Sequence, residues 1–325
     1  MRALMLKGSQ ELALESIASP APRQGEVIVD VEITGLGGSE IAALLNPGLR
    51  PLPNVMGHGL CGLTRTGQRV AVFPLSGCET CLYCNAGQHQ LCNDWKLIGV
   101  QKPGGFAEQV AIPKSALVPL PAALSWEQAS FIEPFANAVN AWERAQPKST
   151  DSVMVIGAGS LGLGVTAMAQ NQKCKSIFVS DLSAKRLQAA LSFGACEAVG
   201  NFSEDFDIVF DTVGTEETRN QCINRTKKNG ESIFLGFAEQ SLTIDFTRMI
   251  REQKTLIGSF VFSRQQFVKA MELVRGCCSE WVRNLSFDEV ADELTSYADG
   301  NYKSIKSALR PRRTVQNPGT PISQP

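Results

Sequence analysis

The segment GCETCLYCNAGQHQLC places Cys78, Cys81, Cys84 and Cys92 in C-x2-C-x2-C-x7-C spacing. Thiolates gathered on a short loop suit a tetrahedral cation, zinc above all. With every ligand position taken by sulfur, no place is left for water or substrate, so the metal would be structural. It would order a loop that has few apolar residues of its own. On spacing alone an iron–sulfur cluster or free thiols remain open.

A second constellation is VIGAGSLG, with Gly157, Gly159 and Gly162 in G-x-G-x-x-G spacing. It follows an apolar strand candidate and opens a helix candidate, the context in which the spacing has meaning. Gly157 permits a tight turn. Gly159 lets the backbone approach a pyrophosphate. Gly162 lets the helix pack on the sheet, and the helix N-terminus faces the anion. Ser160 and Leu161 complete the turn. Asp181 closes the next strand candidate, nineteen residues after Gly162. A carboxylate there accepts hydrogen bonds from the ribose hydroxyls of NAD and repels the 2′-phosphate of NADP. Val213, after the following strand, joins the cofactor-binding set. A glycine-rich structural turn with a surface Asp is the plainer alternative.

The elements that must hold these groups differ along the chain. Residues 1–120 show short alternating runs broken by Gly and Pro, such as EVIVDVEITG (26–35) and RVAVFPL (69–75), which predict strands. From about 150, apolar strands alternate with helices: SVMVIG (152–157), GSLGLGVTAMAQ, SIFVSD (176–181), SAKRLQAALSFG, FDIVFDTVG (206–214) and ESIFLGF (231–237). This predicts a parallel sheet covered on both faces, hence an α/β chain. The tail from Pro311 is polar, rich in Pro and Gly, and is expected to be disordered from about residue 312. No internal repeat is visible. Lys+Arg is 31 against 32 for Asp+Glu, which gives no reason to expect nucleic acid or another polyanion. No run reaches eighteen apolar residues, so no membrane span is expected. MRALMLKG lacks the apolar core of a signal peptide, so a cytoplasmic location is expected. The six remaining cysteines, Cys61 among them, read as small buried hydrophobes.

Taken together, the cysteine lobe and the glycine turn resemble the medium-chain, zinc-containing alcohol and polyol dehydrogenases. The likeness runs through GEVIVDVEITGLGGSE (25–40), MGHGL (56–60), GGFAEQV (104–110), IEPFANAV (132–139), GSFVFSRQQFVKAMEL (258–273) and KSIKSALRP (303–311). The resemblance implies a chaperonin-10-like catalytic domain over 1–123 and 259–325, around a Rossmann domain over 124–258. It implies an active site in the cleft between them and one structural zinc in the cysteine lobe. It also implies a small-molecule substrate and a homodimer or homotetramer, with TLIGSFVF (255–262) as an edge that pairs across subunits.

Carried over residue by residue, the catalytic zinc site of that family is uneven here. Its cysteine position is Gly37, and the Glu of its GHE motif is Gly59. The Asp of the family's cysteine motif, which orients the ligand histidine, is Glu40 here. His58, Glu133 and the proton-relay hydroxyl of Ser39 are present, and these three are the catalytic candidates. Lys306 stands where the family often has a basic residue near the cofactor pyrophosphate. A rebuilt metal site from His58, Glu133 and Cys61 would need a turn between 58 and 61, because i and i+3 of a strand face opposite ways. The readings to separate are an NAD-dependent oxidoreductase with an altered or metal-free centre, a zinc-free reductase, and an NAD-binding relative without turnover or one that partners an active relative.

Overall fold

The computed structural model describes residues 1–197, 204–298 and 304–312. The tail expected to be disordered lies outside the described residues beyond Arg312.

The strand Glu26–Gly35 buries Val29, Val31 and Ile33, as its alternation predicts, and also Ile28, out of that alternation. It pairs antiparallel with Gly59–Thr64 and with Gln109–Pro113. Gly59–Thr64 continues through Arg69–Val72 to Leu117–Pro119. On the other side of Glu26–Gly35 lies Lys306–Leu309, antiparallel to it, and beyond that Val282–Leu285, parallel to Lys306–Leu309. Strands from the last part of the chain thus complete a seven-stranded sheet begun in the first.

The middle of the chain forms a six-stranded parallel sheet. Its order is Cys196–Glu197, Ser176–Ser180, Ser152–Ile156, Phe206–Asp211, Thr226–Phe234 and Thr255–Gly258. Ser152–Ile156 is buried at every position, because helices cover both faces of a central parallel strand. The strand order reverses beside it, so a crevice opens at its carboxyl end, where Gly157 begins.

The helix Ile132–Ala145 joins the two sheet systems. Pro134 is tolerated in its first turn, where a backbone N–H has no intrahelical partner. Its buried face carries Phe135, Val139 and Trp142. Trp142 stacks on Phe210 of the parallel sheet at 5.7 Å between centroids. A Cβ on Gly164 of the helix Ser160–Gln172 would come within 2.7 Å of the Ala138 Cβ, so the two helices approach closely there. The helix Arg264–Leu273 packs on the same helix, Ile132–Ala145. The chain therefore stays with the parallel-sheet layer past residue 259 and rejoins the antiparallel sheet at Val282. No described helix is long and apolar enough to cross a membrane.

Candidate active site

His58 leaves a turn that only glycine can make. Gly57 has φ +93, and a Cβ there would lie 2.6 Å from the Phe106 ring and 2.7 Å from Thr34 Cγ2. The turn delivers an imidazole that is 8% exposed. Its Nδ1 lies 2.6 Å from Glu40 Oε1, and its Nε2 lies 3.4 Å from Glu133 Oε1. Glu40 is fully buried in the helix Gly38–Leu45. Its other oxygen accepts from the Gly37 backbone N–H at 3.0 Å and from Ser39 Oγ at 3.2 Å. One carboxylate therefore caps the helix, holds the serine hydroxyl and pairs with the imidazole. Asn137, one turn after Glu133, donates to Glu133 Oε1 at 2.7 Å and fixes it. Ser39 itself is exposed, so the array opens to solvent at that end.

The electrostatics follow from this enclosure. Burial opposes a proton on His58, but Glu40 and Glu133 together raise its pKa to about 10. Burial also opposes charge on Glu40. The imidazolium outweighs it, helped by Arg50 and Lys306, and holds the carboxyl at about 2. The pair is thus an imidazolium against a carboxylate. Lys306 differs from expectation. It is 4% exposed and donates from Nζ to the Leu36 carbonyl at 2.9 Å. Its charge faces Glu133 and Glu40, while burial lowers its pKa. A Cβ on Gly35 would come within 2.8 Å of the Lys306 Cε, so this glycine makes room for the side chain.

The donor set for a metal beside His58 is small. Gly37 and Gly59 offer no side chain, and Cys61 is no substitute. Its thiol points away toward the Ala129 carbonyl at 3.8 Å, and burial pushes its pKa up to about 12. The strand Gly59–Thr64 continues without a turn through Cys61, which sends its side chain to the core. The rebuilt His58–Glu133–Cys61 site is therefore not formed. A catalytic zinc takes three protein ligands, and two donors face one another here.

The cysteine lobe does assemble. The sulfurs of Cys78, Cys81, Cys84 and Cys92 lie within 4.8 Å of one another. It is the one such convergence of three or more metal-ligating groups among the described residues. Backbone N–H groups of Cys81 and Cys84 point at the sulfurs of Cys78 and Cys81 at 3.3 and 3.4 Å, and that of Asp94 at Cys92 Sγ at 3.4 Å. Such donors stabilise thiolates and orient them. Hydrogen bonds from Thr80 bring the Cys78 thiol down to about 6. Four convergent sulfurs fit a structural zinc, which would be held by these residues and would cross-link the lobe.

The glycine turn also forms as the spacing predicts. Gly157 has φ +94 and donates its N–H to the Ser180 carbonyl at 2.7 Å. Gly159 caps the helix Ser160–Gln172, and Leu161 follows on its first turn. Around Gly159 a Cβ would meet only Arg186 Nη1, at 4.0 Å, so space for an anion lies beside the helix N-terminus. A Cβ on Gly162 would overlap the Gly157 carbonyl oxygen, which excludes any other residue. Asp181 accepts from the N–H of Ala158 at 2.7 Å and of Ser183 at 2.8 Å. Each oxygen keeps a lone pair for a ribose hydroxyl. Val213 is 38% exposed at the end of the neighbouring strand, beside Gly157. These residues fit a dinucleotide.

The sequence candidates Ser39, His58 and Glu133 come together, Ser39 and His58 on Glu40 and Glu133 on His58. Asn137 and Arg50 join them and are not among the sequence candidates. The i, i+4 spacing from Glu133 was a usable signal for Asn137. Arg50 gave none, since a loop folds it toward Ser39 and Gly99.

The zinc-binding dehydrogenase model matches residues 160–276, and the alcohol dehydrogenase GroES-like domain model matches residues 23–122. The starvation-sensing protein RspB of Escherichia coli (strain K12) is 31% identical over 231 residues, 67% of this chain and 68% of the relative. The L-galactonate-5-dehydrogenase of the same strain is 27% identical over 300 residues, 84% of this chain and 87% of the relative. The crystal structure of galactitol-1-phosphate dehydrogenase from Escherichia coli superimposes with a TM-score of 0.86 at 25% identity, covering 96% of this chain and 100% of that one. The chain belongs to the zinc-binding, medium-chain alcohol dehydrogenase family, with a GroES-like domain and a Rossmann-type domain. It is an alcohol dehydrogenase-like oxidoreductase.

Proposed function

We propose that this protein is an NAD-dependent oxidoreductase of a small alcohol or carbonyl, with zinc in its cysteine lobe and none at His58. The observation that carries the reading is the Glu40–His58–Glu133 array, formed where the family's metal ligands stand but reduced to two facing donors. Bound NAD supplies the hydride acceptor in oxidation, and its reduced form supplies the donor in reduction. The remaining work falls to the chain. His58 is held protonated by its carboxylates, and its Nε2–H, whose contact with Glu133 is the longer at 3.4 Å, can donate a hydrogen bond or a proton to a substrate carbonyl oxygen, the task otherwise given to a Lewis acid. Ser39 is exposed beside it and shares Glu40, which gives the proton a route between solvent and imidazole. Asp181 favours NAD over NADP because its carboxylate closes the ribose end of the turn.

Among the described residues no further strand pairs with the outer strand Thr255–Gly258, and exposed Phe237 packs on Phe260 just past its end. This supports a homodimer built by strand pairing across that edge.

Zinc per subunit, measured by elemental analysis after gel filtration, tests the metal assignment. The expected value is one. A value of two sinks the metal-free reading of His58. Cofactor reduction over a panel of alcohols and polyols tests turnover. NAD binding without turnover of any of them would favour a binding protein instead.

A further inference from the structure

The loop between the helix Gly38–Leu45 and the strand Asn54–Val55 carries its residues the unusual way round. Leu49 and Leu52 are 70% and 44% exposed, while Arg50 between them is folded inward and half-buried. A charge turned in with leucines turned out reverses the ordinary preference. The Arg50 guanidinium spends little of its donor capacity. Nε reaches the Gly99 carbonyl at 3.3 Å and Nη2 reaches the Ser39 carbonyl at 3.4 Å. Both are long bonds to neutral oxygens. No described carboxylate forms an ion pair with it, and Glu40 acts on it only at longer range. Burial without a matching anion disfavours its charge, and burial does lower its pKa. A guanidinium offers five N–H donors in a planar fork suited to carboxylate and phosphate.

Its position connects this fork to the chemistry. Ser39, whose carbonyl it touches, is the exposed hydroxyl of the proton route. Gly99 packs against Gly57, the residue before His58. The local charges also favour an anion. Glu40 lies within electrostatic reach of His58, Lys306 and Arg50, and Glu133 of His58 and Lys306. Lys306 is sealed beneath the site, whereas Arg50 keeps part of its surface exposed.

We infer that Arg50 recognises an oxyanion on the substrate, which makes the substrate an alcohol or ketone that carries a carboxylate or a phosphate. This rests on the oxidoreductase reading and narrows its substrate class. The relatives named for L-galactonate and galactitol 1-phosphate illustrate the two sources of such an anion.

Calorimetric titration of the NAD-saturated protein with L-galactonate, galactitol 1-phosphate and galactitol tests it. One anionic ligand or both should bind at least about tenfold tighter than the neutral alditol, and the two anions separate carboxylate from phosphate. Arg50→Gln should bring that ratio near one, with its melting temperature recorded to show that it folds. Arg50→Lys, which keeps the charge and loses the fork, should retain part of the preference. Equal affinity for the three ligands, binding of none, or a preference that survives Arg50→Gln overturns the inference. Cofactor absorbance in the same mixtures separates the two readings. An anion preference without reduction defeats the oxidoreductase reading alone. Reduction with neutral alditols and no anion preference defeats this inference alone.

Discussion

At the scale of single residues, Glu40 decides most. It carries one methylene more than the Asp of the family motif. Its longer arm reaches both the Gly37 N–H and His58 Nδ1. Removing its charge leaves a buried imidazolium without its nearer partner, so Glu40→Gln should cost about 3–5 kcal/mol in stability. It should also lower kcat/KM by roughly 10²-fold or more. The pH dependence has a definite sign. His58 is raised above its ordinary 6.5, so its stabilising share is complete below 6.5 and is lost as pH climbs toward 10. Glu40 is lowered below its ordinary 4.5, so its share is complete above 4.5 and is lost as pH falls toward 2. Carbonyl reduction that uses His58 as acid should therefore persist to about pH 10. In Glu40→Gln the alkaline limb should move to lower pH, since a cause of the raised pKa is gone. A pH–rate profile of both proteins checks this, and an unmoved limb would remove His58 from the proton route.

At the scale of elements, the cysteine lobe has little packing of its own, so the proposed zinc would have to hold it. Its helix Leu82–Asn85 is a single turn, and Leu82, Tyr83 and Leu91 face solvent. Little apolar burial holds it, so four metal–sulfur bonds would have to. Cys84→Ser should abolish the zinc found by elemental analysis. It should also lower the melting temperature, by about 2–4 °C for each kcal/mol lost. The lobe touches the edge of the parallel sheet through Trp95 and Phe260, 5.7 Å apart, so its loss should loosen that edge too. Full zinc content in the variant would contradict the assignment of the metal to these sulfurs.

At the scale of the whole molecule, the free edge of the parallel sheet is the feature that a lone chain leaves unresolved. Thr255–Gly258 is partly exposed along its length, and Phe237 packs edge-on to Phe260 at 6.1 Å beside it. An edge flanked by exposed aromatic rings favours association. Charging the more exposed ring, in Phe237→Glu, should convert a dimer into a monomer by light scattering while circular dichroism stays constant. A monomeric parent protein would end the proposal.

The amino-acid sequence determined by itself whatever local chemistry dictates. Alternation gave the strand Glu26–Gly35 its residues, and apolar runs gave Ser152–Ile156 and Phe206–Asp211 theirs. Glycine spacing announced the tight turn at Gly157, and cysteine spacing announced the convergence of four sulfurs. Each of these rests on groups close in the chain, where steric rules and ligand geometry act directly. Tertiary structure decided the rest. Only the fold shows that Cys61 faces the core, that Lys306 is buried against Leu36, and that the chain rejoins the antiparallel sheet at Val282. Only the fold turns Arg50 inward beside Ser39 and sets Glu40 between His58 and the helix it caps. These contacts join segments distant in sequence. Burial and neighbouring charge, which no local pattern encodes, then set the ionisation that the proposed chemistry uses.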